Sequence, residues 1–370
     1  GQHGASGRQA PPDRLSAVWR VDGAQGEGGG QLLRTALALA AATGTPLHIE
    51  HIRAGRRPPG LAPQHLAAAQ AVAALCGGRL EGAELRSPAL TFWPGTTLTE
   101  ELTVDVGTAG NVILVLHTLL PVLVAHGRGA RLRLIGGTDV RAAPPFDYLQ
   151  QITVPLLGRL GLALQVQAPR RGYYPRGGGV LQAQVAPCGG LRPLQLPQPG
   201  RVLAIDGLAH VTRLPLSIAE RMAAAAGRHL PRANIRAAAL DPSTAYGPGG
   251  AVVVWARTKH ARLGAAAVAE RGVPAEALGE AVGTALAAEL AAGASQDVHA
   301  ADQLLVYLAL ADGHSVIRVR ELSSHAHTTL SLFQRLLGTG AQVPALCASV
   351  PLWISPAHLP AVPLVFARDH

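Results

Sequence analysis

The sequence predicts an α/β (α+β) fold built of repeated modules, with a further module inserted between the second and third copies. Three observations predict it. Helical and strand-like apolar patterns alternate along most of the 370 residues, as in α/β and α+β chains. A polar or glycine-rich turn leading into an apolar helix recurs at a period of about 80 residues, which marks tandem modules sharing a core. The texture changes at Pro193, Pro197 and Pro199, where a linker is expected.

The elements follow from local pattern. In the first copy the glycine turn 28–30 opens an apolar helix over 31–42, followed by a strand over 46–53, a helix over 62–75 and a strand near 79–85. In the second, Gly107-Thr108-Ala109-Gly110-Asn111 opens a helix over 112–125. A strand over 130–135 then leads through Gly136-Gly137-Thr138 to a helix over 145–160 and a strand over 163–167. In the third, Ala301-Asp302-Gln303 leads into a helix over 304–311, a strand over 315–320, a polar turn over 323–329 and a helix over 330–337. The inserted segment reads as strand, helix over 216–230, strand over 251–257 and helix over 274–292. That last helix is alanine-rich with few aromatic residues, which fits a structural role. Residues 1–14 are polar, lack an apolar signal-peptide core and read as a disordered tail. The expected division is a tail at 1–14, a large domain from 15–197 and 293–370, and a smaller inserted domain at 198–292.

Composition narrows the chemistry. Hydrophobic residues make up 48%, enough for a large core and against disorder. A net charge of +9 and a pI near 10.4 favour anionic partners such as nucleic acid or nucleotides. The alternative is a generally basic surface with no specific role. The positive charge is almost all arginine, and Lys259 is the only lysine. Lys259 follows an apolar strand-like run, so no P-loop of the form G-x-x-x-x-G-K-[ST] exists. A covalent nucleotide intermediate would therefore fall to histidine. Cys76, Cys188 and Cys347 are widely spaced and form no CxxC, which fits a reducing, cytoplasmic compartment. The most apolar run, 112–125, contains His117 and Pro121 and is too short to span a bilayer. It is expected as a buried helix, and no membrane partner is expected.

Several motifs point to anion chemistry, each beside a plainer reading. Arg171-Gly172-Tyr173-Tyr174-Pro175-Arg176-Gly177-Gly178-Gly179-Val180-Leu181 joins a triple glycine to arginines and tyrosines. Bare backbone can approach a ligand closely, so the loop suggests a phosphate site. Asp22-Gly23-Ala24-Gln25-Gly26-Glu27-Gly28-Gly29-Gly30-Gln31-Leu32-Leu33-Arg34 joins a carboxylate, a bare loop and a helix start. Helix amino termini attract anions, and Glu27 could hold a divalent cation; a tight strand-to-helix turn with a surface glutamate is the alternative. Arg53-Ala54-Gly55-Arg56-Arg57-Pro58-Pro59-Gly60 is a rigid basic loop whose guanidinium forks suit phosphate oxygens, or a solvated connection. Gln64 and His65 open the next helix and could join the same pocket. His325 and His327 flank Ala326 ahead of Thr328 and Thr329. A histidine at a helix amino terminus stays nucleophilic because the dipole disfavours its cation; packing and a two-histidine metal site are the alternatives. Asp302 and Gln303 either bind a ligand or cap a helix.

By these motifs the chain resembles the RNA 3′-terminal phosphate cyclase family. The stretch from Arg171 to Leu181 matches the family signature of Arg or His, Gly, two variable residues, Pro, one variable, three Gly, one variable and an aliphatic. The likeness extends through Asp22–Arg34, Ile52–Leu66, Gly136-Gly137-Thr138-Asp139, Ala143-Pro144-Pro145, Ala301-Asp302-Gln303 and the His325 turn, nearly all of the chain from Val21 onward. The resemblance implies three repeats like the carboxy-terminal domain of translation initiation factor 3, with a smaller domain inserted before the third. It implies conversion of an RNA 3′-phosphate to a 2′,3′-cyclic phosphate using ATP and a divalent metal (Mg2+ or Mn2+), through a histidine–AMP adduct. It makes His325 the nucleophile of a His-x-x-Thr turn ending at Thr328, and Glu27 the metal ligand. Arg34, Arg53, Arg56, Gln64 and His65 would lie around the phosphates. Pro144 would pack on adenine, with Asp302 and Gln303 near the nucleotide. His299 stands where family members often carry a tyrosine; it offers adenine a weaker stacking face, which bears on nucleotide preference. The implied partners are RNA with a 3′-phosphate end and ATP, and a homodimer is compatible with the resemblance. Two rivals fare worse. Non-catalytic ribosome-assembly relatives lack the histidine, and an enolpyruvyl transferase would need lysines for its phosphorylated substrates.

Overall fold

The computed structural model describes residues 18–26, 29–107, 109–313, 315–337, 346–348 and 362–368. The chain is a mixed α/β protein of small sheets flanked by helices. The first sheet takes its strands and helices in the order β1 (Trp19–Asp22), α1 (Gly30–Thr43), β2 (Leu47–Glu50), α2 (Pro63–Cys76), β3 (Arg79–Glu81) and β4 (Leu90–Trp93). The second follows as β5 (Glu101–Asp105), α3 (Val112–His126), β6 (Ala130–Gly136), α4 (Phe146–Tyr148), a π-turn over Leu149–Thr153, α5 (Val154–Leu160), β7 (Leu164–Arg170) and β8 (Gly179–Val185). Next come β9 (Gln195–Leu196), β10 (Val202–Thr212), α6 (Leu216–Gly227), β11 (Asn234–Leu240), β12 (Gly249–Thr258), β13 (Arg262–Val268) and α7 (Ala275–Ala291). The chain closes with α8 (Val298–Leu310), β14 (Ser315–Val319), α9 (Ser324–Leu337), β15 (Leu346–Ala348) and β16 (Val362–Arg368).

Three sheets share one connectivity. Their orders are β1-β2-β4-β3, β5-β6-β8-β7 and β9-β14-β16-β15, each with a parallel first pair and antiparallel remainder. The fourth sheet, β11-β10-β12-β13, differs. The third sheet draws its first strand, β9, from before the fourth sheet and the rest from after it, with Val316 opposite Gln195 and Ile317 opposite Leu196. The proline-rich stretch expected as a linker therefore contains a strand, because its alternating leucines, Leu194 and Leu196, are buried.

The helices carry the core. Leu37, Leu39, Val72, Leu116, Leu119 and Leu120 on α1, α2 and α3 are fully buried, each contributing about 1.5–3 kcal/mol by leaving water. Asn111 caps α3, its side chain accepting from the Ile113 and Leu114 amides at 2.9 and 3.1 Å. The expected straight helix over 145–160 is interrupted by the π-turn, since Pro155 has no N–H to donate back one turn. Asp297 caps α8 by accepting from the Ala300 amide at 2.9 Å. Asp302 and Gln303 thus lie inside α8 rather than ahead of a helix. The polar stretch 323–329 is helical from Ser324, because the Ser323 hydroxyl accepts from the Ala326 amide at 3.0 Å and sets the helix start there. Among the described residues, no helix is long and apolar enough to cross a membrane.

Candidate active site

α1, α3, α8 and α9 meet beside β13 and the loop 140–145 and leave a cavity of about 460 Å3. Each helix presents one face at helical spacing: Gln31, Arg34, Thr35 and Ala38; Leu114, His117 and Thr118; His299, Asp302, Gln303 and Val306; and His325 with Thr329. Pro144 and Pro145, with Ala266, Ala267 and Val268 of β13, complete the cavity wall. Arg34, Pro144, His299, Asp302, Gln303 and His325, all singled out in the sequence, therefore share one concavity. His327 does not line it; its Nε2 is buried without a hydrogen-bond partner.

The glycine loop is drawn against this site by close approach. A β-carbon on Gly30 would lie 2.0 Å from His65 Nε2 and 2.5 Å from Arg34 Nη1. Gly26 has φ +60° and a β-carbon there would fall 2.5 Å from the Thr328 hydroxyl, so the loop abuts the first turn of α9. Gln31 also donates to the Thr329 hydroxyl at 3.4 Å. Glu27 lies outside the described residues. Arg53 and His65 line a smaller adjoining hollow with Gly29, Gly30 and Ile52. Arg53 is held at φ +49° and its guanidinium donates to the Pro58 and Gly60 carbonyls at 3.1 and 2.9 Å. Arg56 is exposed, its Nη2 3.5 Å from the position of a Gly29 β-carbon. Gln64 is half-buried and lines neither concavity.

The electrostatics of the cavity favour an anion. No carboxylate among the described residues pairs with Arg34, whose contact to Gln31 is a long 3.5 Å, and burial pulls its guanidinium down to about 10. Burial, with Arg34 and Arg53 nearby, pulls His65 down to about 3. Burial, reinforced by Arg34, pulls His117 down to about 4. Both imidazoles are therefore neutral at pH 7. His117 Nδ1 lies 3.0 Å from the Tyr307 hydroxyl, while its Nε2 is buried without a partner. Asp302 is the only carboxylate among the described lining residues; burial pushes it up against the opposing pull of its Ser323 hydrogen bond, His299 and His325. Sequence reasoning missed Gln31, Thr35, His117 and Thr329. The available signal was their spacing, with polar residues one turn apart on otherwise apolar helices.

The triple-glycine loop after Arg171 lines no part of the cavity, against the phosphate site its composition suggests. Arg171 is buried and donates to Asp139 at 3.0 Å and to both oxygens of Asp147 at 2.9 and 3.1 Å. Burial pushes the Asp147 carboxyl up, but His210 and Arg171 outweigh it and hold it well below the usual carboxylate range. Tyr173 reaches into β10, its hydroxyl 2.9 Å from His210 Nε2 and 2.8 Å from Thr212. Asp139, Asp147 and His210 have ligand atoms within 4.8 Å of one another. Arg171 and Thr138 already occupy those carboxylates, so the cluster is a salt-bridged anchor between the second and fourth sheets and does not fit a metal ion.

Comparison with known proteins gives a consistent result. The family model described as RNA 3′-terminal phosphate cyclase matches residues 25–343. The chain is 49% identical over 326 residues to the RNA 3′-terminal phosphate cyclase of Nitrosospira multiformis, covering 87% of this chain and 92% of that one. It is 41% identical over 353 residues to the protein of the same name from Caldivirga maquilingensis, covering 93% and 99%. The corresponding protein of Pyrococcus furiosus is 39% identical over 319 residues, covering 86% and 93%.

Proposed function

The chain belongs to the RNA 3′-terminal phosphate cyclase family, and from that premise we propose that it converts an RNA 3′-phosphate to a 2′,3′-cyclic phosphate using ATP, through an AMP adduct on His325. The observation that carries this reading is the pairing, across one cavity, of a half-buried cation without a carboxylate partner among the described residues, Arg34, with the exposed imidazole of His325. Desolvation without a counter-charge disfavours the Arg34 guanidinium, and a phosphate in the cavity would neutralise it.

The chemistry runs in three displacements. An imidazole nitrogen of His325 attacks the α-phosphorus of ATP, the bond to the bridging oxygen of the β-phosphate breaks, pyrophosphate leaves and the imidazole loses its proton. An oxygen of the RNA 3′-phosphate then attacks that phosphorus, the phosphorus–nitrogen bond breaks as the imidazole takes a proton back, and RNA(3′)pp(5′)A forms. The neighbouring 2′-hydroxyl attacks the RNA phosphorus, gives up its proton and expels AMP, with proximity in its favour. Arg34 offsets charge on the phosphates. Pro144 and His299 flank the adenine. Asp302, hydrogen-bonded to the capping Ser323, holds the amino end of α9 and with it His325. Arg53 and His65, which line the adjoining hollow, and Arg56 beside Gly29 complete the phosphate surroundings from that side, whereas Gln64, which lines neither concavity, has no such place. A divalent cation, Mg2+ or Mn2+, would supply further charge neutralisation, with Glu27 as its ligand.

In this reading residues 15–197 and 293–370 form the catalytic domain of three repeats and 198–292 an inserted domain, supported by the shared order of three sheets. The protein works in a reducing, cytoplasmic compartment, and a homodimer is compatible with it. The test is an RNA carrying a labelled 3′-phosphate: with ATP and Mg2+ or Mn2+, its label becomes phosphatase-resistant. Label that stays phosphatase-sensitive with folded protein and either metal would overturn the proposal.

A further inference from the structure

The signature loop carries an exposed face that the cavity chemistry does not use. Tyr174 is 79% exposed and Tyr246 is 51% exposed. The guanidinium of Arg170 lies over the Tyr246 ring, 4.3 Å from its centroid, and donates to the Gly178 carbonyl at 2.7 Å. Tyr246 packs on bare backbone: a β-carbon on Gly178, at φ +71°, would fall 2.6 Å from the tyrosine ring. A β-carbon on Gly247 would meet the Arg176 side chain at 3.0 Å. Arg213, at φ +57°, donates to the Ala245 carbonyl at 2.8 Å and so sits beside Tyr246. None of Arg170, Arg176 and Arg213 forms an ion pair among the described residues. Asp241, the carboxylate in the same loop, is engaged by the Ser243 amide and hydroxyl at 2.8 and 2.7 Å.

We infer that Arg170, Tyr174, Arg176, Arg213 and Tyr246 form a second RNA site, a stacking platform for single-stranded RNA that lines no part of the cavity. Alternating guanidiniums and exposed rings are what a flexible polyanion with stackable bases requires. A residue held in the left-handed region without being glycine, as Arg213 is, costs about 1–2 kcal/mol and persists where surrounding structure fixes it. The platform is coupled by backbone to the cavity. The Arg171 amide donates to the Thr244 carbonyl at 2.8 Å, and the Gly172 carbonyl accepts from Thr138 and Asp139 at 3.0 and 3.1 Å. The chain then runs directly into Val140–Pro145 of the cavity wall. The platform would thus hold the body of an RNA whose end is processed in the cavity; this placement rests on the cyclase reading, whereas the binding site itself does not.

The test separates the two. Binding of a 3′-hydroxyl oligonucleotide of about 16 nucleotides, which cannot react, is followed by fluorescence anisotropy without ATP. Tyr174→Ala/Tyr246→Ala weakens it by about tenfold or more, since each base stack is worth on the order of 1–3 kcal/mol. Arg176→Gln, whose side chain is exposed and outside the core, lowers the salt dependence by about one ion. Adenylylation of His325 and the KM of a 3′-phosphorylated dinucleotide stay unchanged, while the KM of the long RNA rises. Unchanged RNA affinity in both variants would overturn the site. So would variants that bind RNA normally but lose self-association, which would make the face a contact between two copies of the chain. Altered binding with no cyclisation by the unaltered protein would leave the RNA site standing and remove the cyclase reading instead.

Discussion

Gly26 and Thr328 are in contact across 302 residues of chain: a β-carbon on the glycine would fall 2.5 Å from the threonine hydroxyl. The first glycine loop and the first turn of α9 thus fix each other's position. Gly26→Ala adds a clash and a left-handed alanine costing about 1–2 kcal/mol. Displacement of His325 by a fraction of an ångström to one ångström then slows adduct formation by up to about a hundredfold. Thr328→Ala introduced with Gly26→Ala removes the clash and restores part of the rate, which single-turnover kinetics on the four proteins of the cycle would show.

Arg34 is stability given up for binding. Replacing a half-buried cation that lacks a carboxylate with an apolar side chain breaks no ion pair and relieves its desolvation. Arg34→Met should therefore keep or raise the melting temperature. Loss of a charged hydrogen bond worth about 1.5–3 kcal/mol weakens ATP binding roughly ten- to a hundredfold. Calorimetry and a nucleotide titration on the same preparation decide it; a lower melting temperature with unchanged ATP affinity contradicts the role.

Arg171 behaves in the opposite way. Arg171→Met leaves Asp139 and Asp147 buried without their cation and should cost about 3–5 kcal/mol. Adding Asp139→Asn and Asp147→Asn recovers part of that. Denaturant midpoints measure both, and a wild-type midpoint for Arg171→Met would show that the cluster does not anchor the second sheet to the fourth.

Acid should destabilise the fold through His65 and His117. Their native values, about 3 and about 4, lie below the ordinary 6.5. The unfolded chain therefore binds more protons below pH 6.5, and stability falls with pH from there down to the native values. Each histidine contributes about 1.4 kcal/mol per pH unit inside its window. Glu289, pushed up to about 7 by burial and Asp297, works the other way between 7 and its ordinary 4.5. The net loss from these three groups is consequently steepest between pH 4.5 and about 4. His117→Gln should flatten the acid limb of a stability–pH curve, and an unchanged limb would contradict this origin.

Much of the site was legible because helical spacing converts to a shared face. Arg34 sits one turn into a helix whose start could be read from glycine, whereas Asp302, Gln303 and His325 were singled out although their helices begin earlier than the pattern suggested, at Val298 and Ser324. Less legible was whatever depended on distant partners. β9 is two residues long among prolines and exists only through pairing with β14. The stretch Ser323–Thr329 contains poor helix formers, and packing of α9 on α1 and α8 overrides that preference. Arg171 reads as a phosphate ligand until Asp147 and Asp139, 24 and 32 residues upstream, are seen to claim it. His117 was visible only as a polar interruption of an apolar helix, its pairing with Tyr307 lying 190 residues away.

On this reading His325, and not His327, carries AMP. The most direct measurement is incubation with α-labelled ATP and a divalent cation, followed by denaturing electrophoresis and acid or alkali treatment. A labelled band that is acid-labile and alkali-stable is expected, absent in His325→Ala and largely retained in His327→Ala. Equal loss in both variants, or a band that survives acid, would contradict it.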